Sequence, residues 1–395
     1  MYQARISDCN AIMAQGSAEE LQNSFDIAKK TTYLVGINPF QADREITARF
    51  IFSALLMLAI YVFCCYTLWV LGSEWQTSLE VFLVLMLNFL GTNKIWLGFM
   101  RVYDYYLLFV STEEIYKKFD EDIRNRPILR KMVRILVAML KSMVFIYTLS
   151  GSLIFLLMTT VVLLTKEKVL LLRVYIPFVD HTTPVGYVIT TAFHMLMIAF
   201  CVNGYLASDS VFVSTILPIV GYTNSLRKEI DNFNASLDEI ERNEEEITEQ
   251  LMRIVKLHQM IVEYECQAVK FFKDSNLVQV SLQAGSLLVL VFMGLILHYL
   301  PAMCATLAVL FELTLYCSLG TVITTKNNQM MVDIYAINWH LLPKSQRMLV
   351  VFMLHRAQNG KNLYVGNFAP MNMTTYVQIL KTVYTFLAML ITIVH

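Results

Sequence analysis

The sequence predicts an all-α membrane protein with seven transmembrane helices, and three observations support this fold class. Of the 395 residues, 56% are hydrophobic and only 16% are charged, whereas soluble domains carry about 25% charged residues. Seven apolar runs are long enough to cross a bilayer, which takes about 20 helical residues. Lys and Arg concentrate in alternate connecting segments. We therefore expect a polytopic protein whose membrane part forms one helical unit within the lipid bilayer.

The apolar runs are separated by connections of two kinds. Short junctions at 72–77 and 298–301 indicate tight turns on one side of the membrane. Long polar segments at 101–132, 208–260 and 324–372 then lie together on the other side. The seven predicted spans are 49–71, 78–100, 133–164, 185–207, 276–297, 301–323 and 373–394.

The distribution of positive charge predicts which side is which. The N-terminal tail through residue 49 and the segments 101–134, 208–260 and 324–372 hold 23 Lys and Arg, whereas the loops 72–77, 165–184 and 298–301 hold 3. Positive residues remain in the cytoplasm. The N-terminus is therefore predicted to be intracellular and the C-terminus extracellular, opposite to a G-protein-coupled receptor. Residues 1–48 are polar and mixed, so no cleavable signal peptide is expected.

The polar segments keep a helical pattern. Apolar residues recur at helical spacing through 208–275, with an acidic break at 238–249, which predicts a helical hairpin that extends spans four and five beyond the bilayer. The apolar faces pack either within one subunit or between neighbouring subunits. The predicted divisions are an N-terminal cytoplasmic segment (1–48), helices 1–4 on the ligand-pocket side (49–207), the cytoplasmic anchor hairpin (208–275), helices 5–6 (276–323), an anchor helix and linker (324–372) and a pore-lining helix 7 (373–395).

The outer halves of several spans are rich in Met, aromatic residues and Thr. Such surfaces suit a small, mostly apolar ligand held by few polar contacts, and Met adapts to the shape of a ligand. Ordinary helix packing is the alternative for each residue. The candidate pocket residues are Phe82, Met86 and Phe89 in span two, Tyr147, Ser150, Gly151 and Ile154 in span three, Thr191, His194 and Met197 in span four, and Met303 and Leu307 in span six.

Ionisable residues within or beside the spans are costly and usually face the protein interior or water. Lys94 and Lys141 are expected to extend to the cytoplasmic interface instead. Glu312 in span six and Lys381 in span seven are the better functional candidates.

The last span carries polar residues at spacings of three and four, so they share one helix face. A half-polar stripe that becomes apolar at its outer end favours the lining of a narrow pore. Packing between membrane helices is the alternative, because Thr bonds to backbone there. Lys381 is expected to lie off the pore axis. The candidate pore and gate residues are Gln378, Thr382, Thr385, Met389 and Ile393.

No catalytic pattern stands out in the sequence. There is no nucleophile elbow, zinc-protease motif, phosphate-binding loop or dinucleotide turn. The seven cysteines show no metal-ligand spacing. The net charge of zero argues against a nucleic-acid partner. We expect neither enzymatic activity nor a metal or cofactor.

Four sequence blocks have specific residue spacings. The blocks are Ala207–Val213, Leu251–Phe272, Leu315–Gln329 with Asp333–Tyr335 and Asn338–Trp339, and Phe368–Pro370 with Ile379–Phe386. Together they resemble the insect odorant receptor family, in particular its ligand-tuning subunits. The resemblance covers nearly the whole chain and is strongest after residue 200. Glu312 stands where the family usually has Gln.

The resemblance implies an odorant-gated, non-selective cation channel in the plasma membrane of sensory neurons. It implies a heterotetramer with odorant co-receptor subunits around one pore, lined by the last helices and permeated by monovalent cations and Ca²⁺. A small volatile organic ligand would bind in the outer half, between spans two, three, four and six. The alternatives are a gustatory-type channel acting as a homotetramer, a metabotropic chemoreceptor or a transporter.

Overall fold

The computed structural model describes residues 19–165, 170–238, 244–360 and 362–394, and this part of the chain is mostly helical. A two-stranded antiparallel hairpin precedes the last helix. The elements are α1 (Asp26–Val35), α2 (Ala48–Leu71), α3 (Trp75–Met100), α4 (Val102–Asp120), α5 (Arg126–Thr165), α6 (Pro184–Ile216), α7 (Pro218–Leu237), α8 (Glu244–Ile296), α9 (Leu300–Tyr335), α10 (Lys344–Gln358), β1 (Tyr364–Val365), β2 (Ala369–Pro370) and α11 (Met373–Val394).

Seven helical stretches of the described residues are long and apolar enough to cross a membrane. They contain α2, α3, α5, α6, α8, α9 and α11 and overlap all seven predicted runs. Local signals fix where they begin. The Thr47 side chain accepts a hydrogen bond from the Phe50 amide at the start of α2, and Thr183 caps α6 just before Pro184. The seven-helix fold is confirmed, whereas its sidedness and the segment boundaries stay predictions.

The longest helix reaches well beyond a bilayer. The 53 residues of α8 correspond to about 80 Å at about 1.5 Å per residue, whereas the hydrocarbon core is about 30 Å thick. α8 packs with α4, α7, α9 and α10. We call α7, α10 and the first half of α8 the anchor bundle, in which Gln346 of α10 bonds to Thr248 and Glu229 of α7 pairs with Arg253.

The apolar faces of the anchor bundle find partners within one chain. Ile230, Phe233, Leu251 and Ile254 are each at most 2% exposed and belong to one continuous core. The packing of these faces, which the sequence left open, is therefore satisfied by the subunit itself. α10 differs, because it leaves an exposed apolar patch that consists of Met348, Val351 and Phe352.

A buried ionic cluster joins the spanning helices. Lys94 of α3 places its Nζ 2.7 Å from Asp209 Oδ1 of α6 and 2.7 Å from Glu312 Oε1 of α9. The hydroxyls of Tyr147 and Tyr316 donate to Asp209 at 2.6 and 2.9 Å. All five side chains are buried. The expectation that Lys94 reaches the interface is therefore wrong: two carboxylates hold it inside the protein.

The ionic cluster also explains the Glu at position 312. Its Oε1 accepts hydrogen bonds from both Lys94 and Gln279 of α8. A carboxylate at this position gives the buried lysine a second charged hydrogen-bond acceptor beside Asp209, and charge-assisted bonds of this kind are stronger than those to a neutral amide.

A close backbone approach connects α9 to the segment before α11. A Cβ atom on Gly320 would lie 1.7 Å from the carbonyl oxygen of Met371. Beyond β2, the Met373 amide donates to Thr321 Oγ1 at 2.8 Å. Gly320 therefore allows the start of α11 to lie directly against α9.

Replacing Lys94 with Met should strongly destabilise the protein. Two buried carboxylates would lose their cation, and breaking a buried pair from one side costs about 3–5 kcal/mol. Thermal unfolding of the purified protein in detergent measures the loss. The control is Lys117→Met, because Lys117 pairs with Glu113 on the surface and such pairs contribute at most about 1 kcal/mol. Adding Glu312→Gln to Lys94→Met should restore part of the stability. Equal losses in the two single variants would contradict the assignment.

Gly320→Ala should destabilise the junction between α9 and α11 by about 1–3 kcal/mol or more, because the new methyl group overlaps a backbone oxygen. The same unfolding measurement applies. Gly204→Ala is the matched control, since nothing lies within 4 Å of its Cβ position. Ala is the better helix former, so this control should be neutral or stabilising. A melting temperature for Gly320→Ala at or above that of the control would refute the prediction.

Candidate functional site

A cavity of about 200 Å³ lies between α2, α3, α5, α6, α8 and α9. Its lining is mostly aliphatic, with Ile60, Leu83, Leu290 and Val309 among the contributing residues. An apolar cavity of about 150 Å³ is sufficient to bind benzene. The site therefore suits a small, mostly apolar organic molecule.

The described part of the loop before α6 covers the cavity. Leu172 of this loop contributes to the lining. The Tyr175 amide donates to Thr67 Oγ1 of α2 at 2.8 Å. His194 Nε2 of α6 lies 2.9 Å from the Val174 carbonyl oxygen. These two contacts attach the loop to α2 and α6.

The structure brings five of the twelve predicted pocket residues to the cavity. Tyr147, Ser150, Gly151 and Ile154 occupy one face of α5 at helical spacing, and Met197 faces them from α6. Their role in binding a ligand stays a prediction.

Seven predicted pocket residues lie outside the cavity lining. The same types of apolar residue occur on the inner and outer faces of a membrane helix, so composition alone does not separate the two faces. They are Phe82, Phe89, Met303 and Leu307 on the exposed surface of the chain, Met86 and Thr191 in half-buried positions, and His194, which is buried and contacts the covering loop.

The sequence reasoning missed the contribution of α8. Gln283, Ser286 and Leu290 line the cavity from this helix. The available signal was the recurrence of polar residues at Gln279, Gln283 and Ser286 on one face of an apolar span. Polar side chains in a membrane helix usually face the protein interior.

The cavity and the ionic cluster share residues. Tyr147 and Glu312 line the cavity and also contact Asp209 and Lys94, respectively. A bound molecule would therefore touch the polar groups that tie α3, α5, α6 and α9 together.

The predicted pore residues lie on one exposed face of α11. The helix packs on the rest of the chain through Val383 and Leu387. At about 100° per residue, the predicted stripe lies on the side of the helix opposite to this contact. Lys381 lies roughly 80° around the helix from the centre of the stripe. The stripe, which is exposed in the single chain, comprises Gln378, Thr382, Thr385, Met389 and Ile393.

Two hydroxyls of the stripe bond to their own helix. Thr382 Oγ1 donates to the Gln378 carbonyl oxygen at 2.9 Å, and Thr385 Oγ1 donates to that of Lys381 at 2.9 Å. Each hydroxyl oxygen can still accept a hydrogen bond from a group on the exposed side of the helix.

Across the residues that the structure describes, no group of three or more His, Cys, Asp or Glu side chains is arranged to hold a metal ion.

Known proteins share both the sequence pattern and the fold. The family model of the 7tm odorant receptors matches residues 76–384. The chain is 20% identical over 374 residues to putative odorant receptor 83c of Drosophila melanogaster, covering 90% of this chain and 92% of that protein. Its fold is similar to that of the olfactory receptor OR5 from Machilis hrabei, solved in complex with eugenol (TM-score 0.77, 14% identity, 96% and 99% of the two chains covered). A second structure of the same receptor is similar as well, with a TM-score of 0.77 and 15% identity over 95% of this chain and 99% of that one. The chain belongs to the 7tm odorant receptor family, whose members bind small volatile ligands in a membrane and are not a class of enzymes.

Proposed function

We propose that this chain is the odorant-tuning subunit of a ligand-gated, non-selective cation channel in the plasma membrane of sensory neurons. It works in a heterotetramer with odorant co-receptor subunits, with its N-terminus in the cytoplasm. The observation that carries the proposal is the apolar cavity beside the ionic cluster, in a chain of this family.

Ligand binding supplies the free energy for opening. A volatile molecule fills the cavity and favours the conformer whose cavity fits it best. The difference in affinity between the closed and open conformers shifts the equilibrium between them. Tyr147 and Glu312 couple the change in the shape of the cavity to the ionic cluster, because both residues line the cavity and belong to the cluster.

The exposed stripe of α11 lines the shared pore. Met389 and Ile393 form an apolar constriction that excludes water in the closed state and separates on opening. Gln378, Thr382 and Thr385 then offer polar groups to hydrated monovalent cations and Ca²⁺. Lys381 lies off the axis, where its charge does not oppose the passage of cations.

Recordings from cells that express the chain with and without the co-receptor test the proposal. Currents evoked by a panel of volatile compounds only when the co-receptor is present support a heteromeric tuning subunit. Currents from the chain alone would favour the homotetrameric, gustatory-type channel. Signalling without any ligand-evoked conductance would refute the channel.

Gly151→Val should lower ligand sensitivity about tenfold or more, because the added side chain enters the cavity. A Cβ at this position already lies 3.0 Å from Val202 Cγ2, and overpacking costs about 1–3 kcal/mol. The readout is the half-maximal concentration of any activating compound. Gly204→Val, at the open position on α6, should retain sensitivity. Equal shifts in both variants would exclude a role of the cavity at Gly151.

Replacing both Met389 and Ile393 with Ser should raise the current in the absence of ligand, because the apolar constriction becomes wettable. The ratio of ligand-free to maximal current in the presence of co-receptor is the measurement. Ala388→Ser introduces the same side chain roughly 100° further around the helix and should leave that ratio unchanged. Co-receptor subunits carrying the matching substitutions prevent their intact gates from masking the effect. An unchanged ratio in such fully substituted channels would exclude these residues as the gate.

A further inference from the structure

Most polar side chains that line the cavity already have partners within the protein. Tyr205 donates to the Leu87 carbonyl oxygen at 3.0 Å, and Ser286 donates to that of Leu282 at 2.7 Å. Asn88, Ser150 and Tyr299 likewise donate to backbone carbonyl oxygens. Tyr147 and Glu312 form hydrogen bonds within the ionic cluster. Each of these hydroxyl and amide groups therefore already donates a hydrogen bond, and Glu312 accepts from Lys94 and Gln279.

Gln283 differs from these groups. It lines the cavity from the middle of the spanning part of α8 and is 1% exposed. Neither its amide oxygen nor its amide nitrogen has a hydrogen-bond partner in the described part of the chain. Gln279, one turn earlier on the same helix face, donates to Glu312 instead.

An unpaired amide in an apolar cavity is unfavourable, because its donor and acceptor have lost water without replacement. The group that satisfies both atoms must donate to Oε1 and accept from Nε2. A ligand hydroxyl does both, and the other polar side chains of the lining named above already have partners within the protein. A carboxylate accepts but does not donate, and Glu312 of the same cavity would repel its charge.

We propose that Gln283 determines ligand specificity and that the chain is tuned to small alcohols or phenols whose hydroxyl bonds to the Gln283 amide. The apolar body of the ligand occupies the cavity between α3, α5, α6 and α9. This inference rests on the proposed function and assigns its ligand class.

Matched pairs of probes test the role of the hydroxyl. Benzyl alcohol is compared with ethylbenzene, and 2-phenylethanol with n-propylbenzene, so that each pair differs mainly in a hydroxyl in place of a methyl group. With the co-receptor present, the half-maximal concentration should be at least about tenfold lower for the alcohols, the equivalent of two net hydrogen bonds. Gln283→Leu, which is close in volume, should reduce the difference within each pair to about threefold or less.

Ser286→Ala is the matched control on the same helix. Its hydroxyl is bonded to Leu282, so both members of each pair should shift alike and their ratio should persist. Gln283→Met, with an unbranched side chain, should behave as Gln283→Leu if the effect arises from the amide.

Thermal unfolding of the purified chain supplies a readout that does not depend on gating. Gln283→Leu should raise the melting temperature of the ligand-free protein, because an unpaired buried amide is removed. The alcohols should raise the melting temperature of the original protein more than the hydrocarbons do, and Gln283→Leu should abolish that preference.

Each negative result has a distinct meaning. Equal responses to alcohols and hydrocarbons, a preference that survives Gln283→Leu, or no binding of any alcohol in the panel would overturn the inference. The proposed function fails in a different way: alcohols would stabilise the purified chain but evoke no current with the co-receptor.

Discussion

The arrangement of the spanning helices depends on one buried cation. Lys94 is placed among apolar helices, where removing its charge from water is costly unless several hydrogen bonds and opposite charges compensate. Asp209 and Glu312 supply the charges, and Tyr147 and Tyr316 complete the hydrogen bonds of Asp209. A shift of α3, α6 or α9 by one turn would leave a charge unpaired. The cluster thereby fixes the register of these helices and the shape of the cavity beside them.

The cavity and the last helix are joined by packed elements. Glu312 lies on α9, and two residues further along the same helix Thr314 donates to the Tyr376 hydroxyl of α11 at 3.2 Å. The Gly320 contact with Met371 ties the start of α11 to α9 again. The connection between the ligand cavity and the proposed pore is therefore short and runs mainly through one helix, with the ionic cluster at its origin.

Two exposed surfaces of the described residues differ in physical meaning. The stripe of α11 is partly polar and suits the water-filled pore of the proposed channel. The patch of Met348, Val351 and Phe352 on α10 is apolar, and under the proposed topology it lies outside the bilayer. Exposed apolar area in water is unfavourable and marks interaction surfaces. The described core of the anchor bundle is packed within one chain, so this patch, rather than that core, is available to neighbouring subunits of the proposed channel.

The sequence by itself determined the seven-helix fold, because apolar length and helical periodicity are local properties. It also identified the face of α5 that carries Tyr147, Ser150, Gly151 and Ile154, since one helical spacing places these residues together. It did not reveal that Lys94 meets Glu312, which is 218 positions away along the chain. It also did not separate Phe82, which is exposed, from Gln283, which lines the cavity. Ion pairing and the inner or outer face of a membrane helix depend on how distant helices are rotated against one another, so only the tertiary structure decided them.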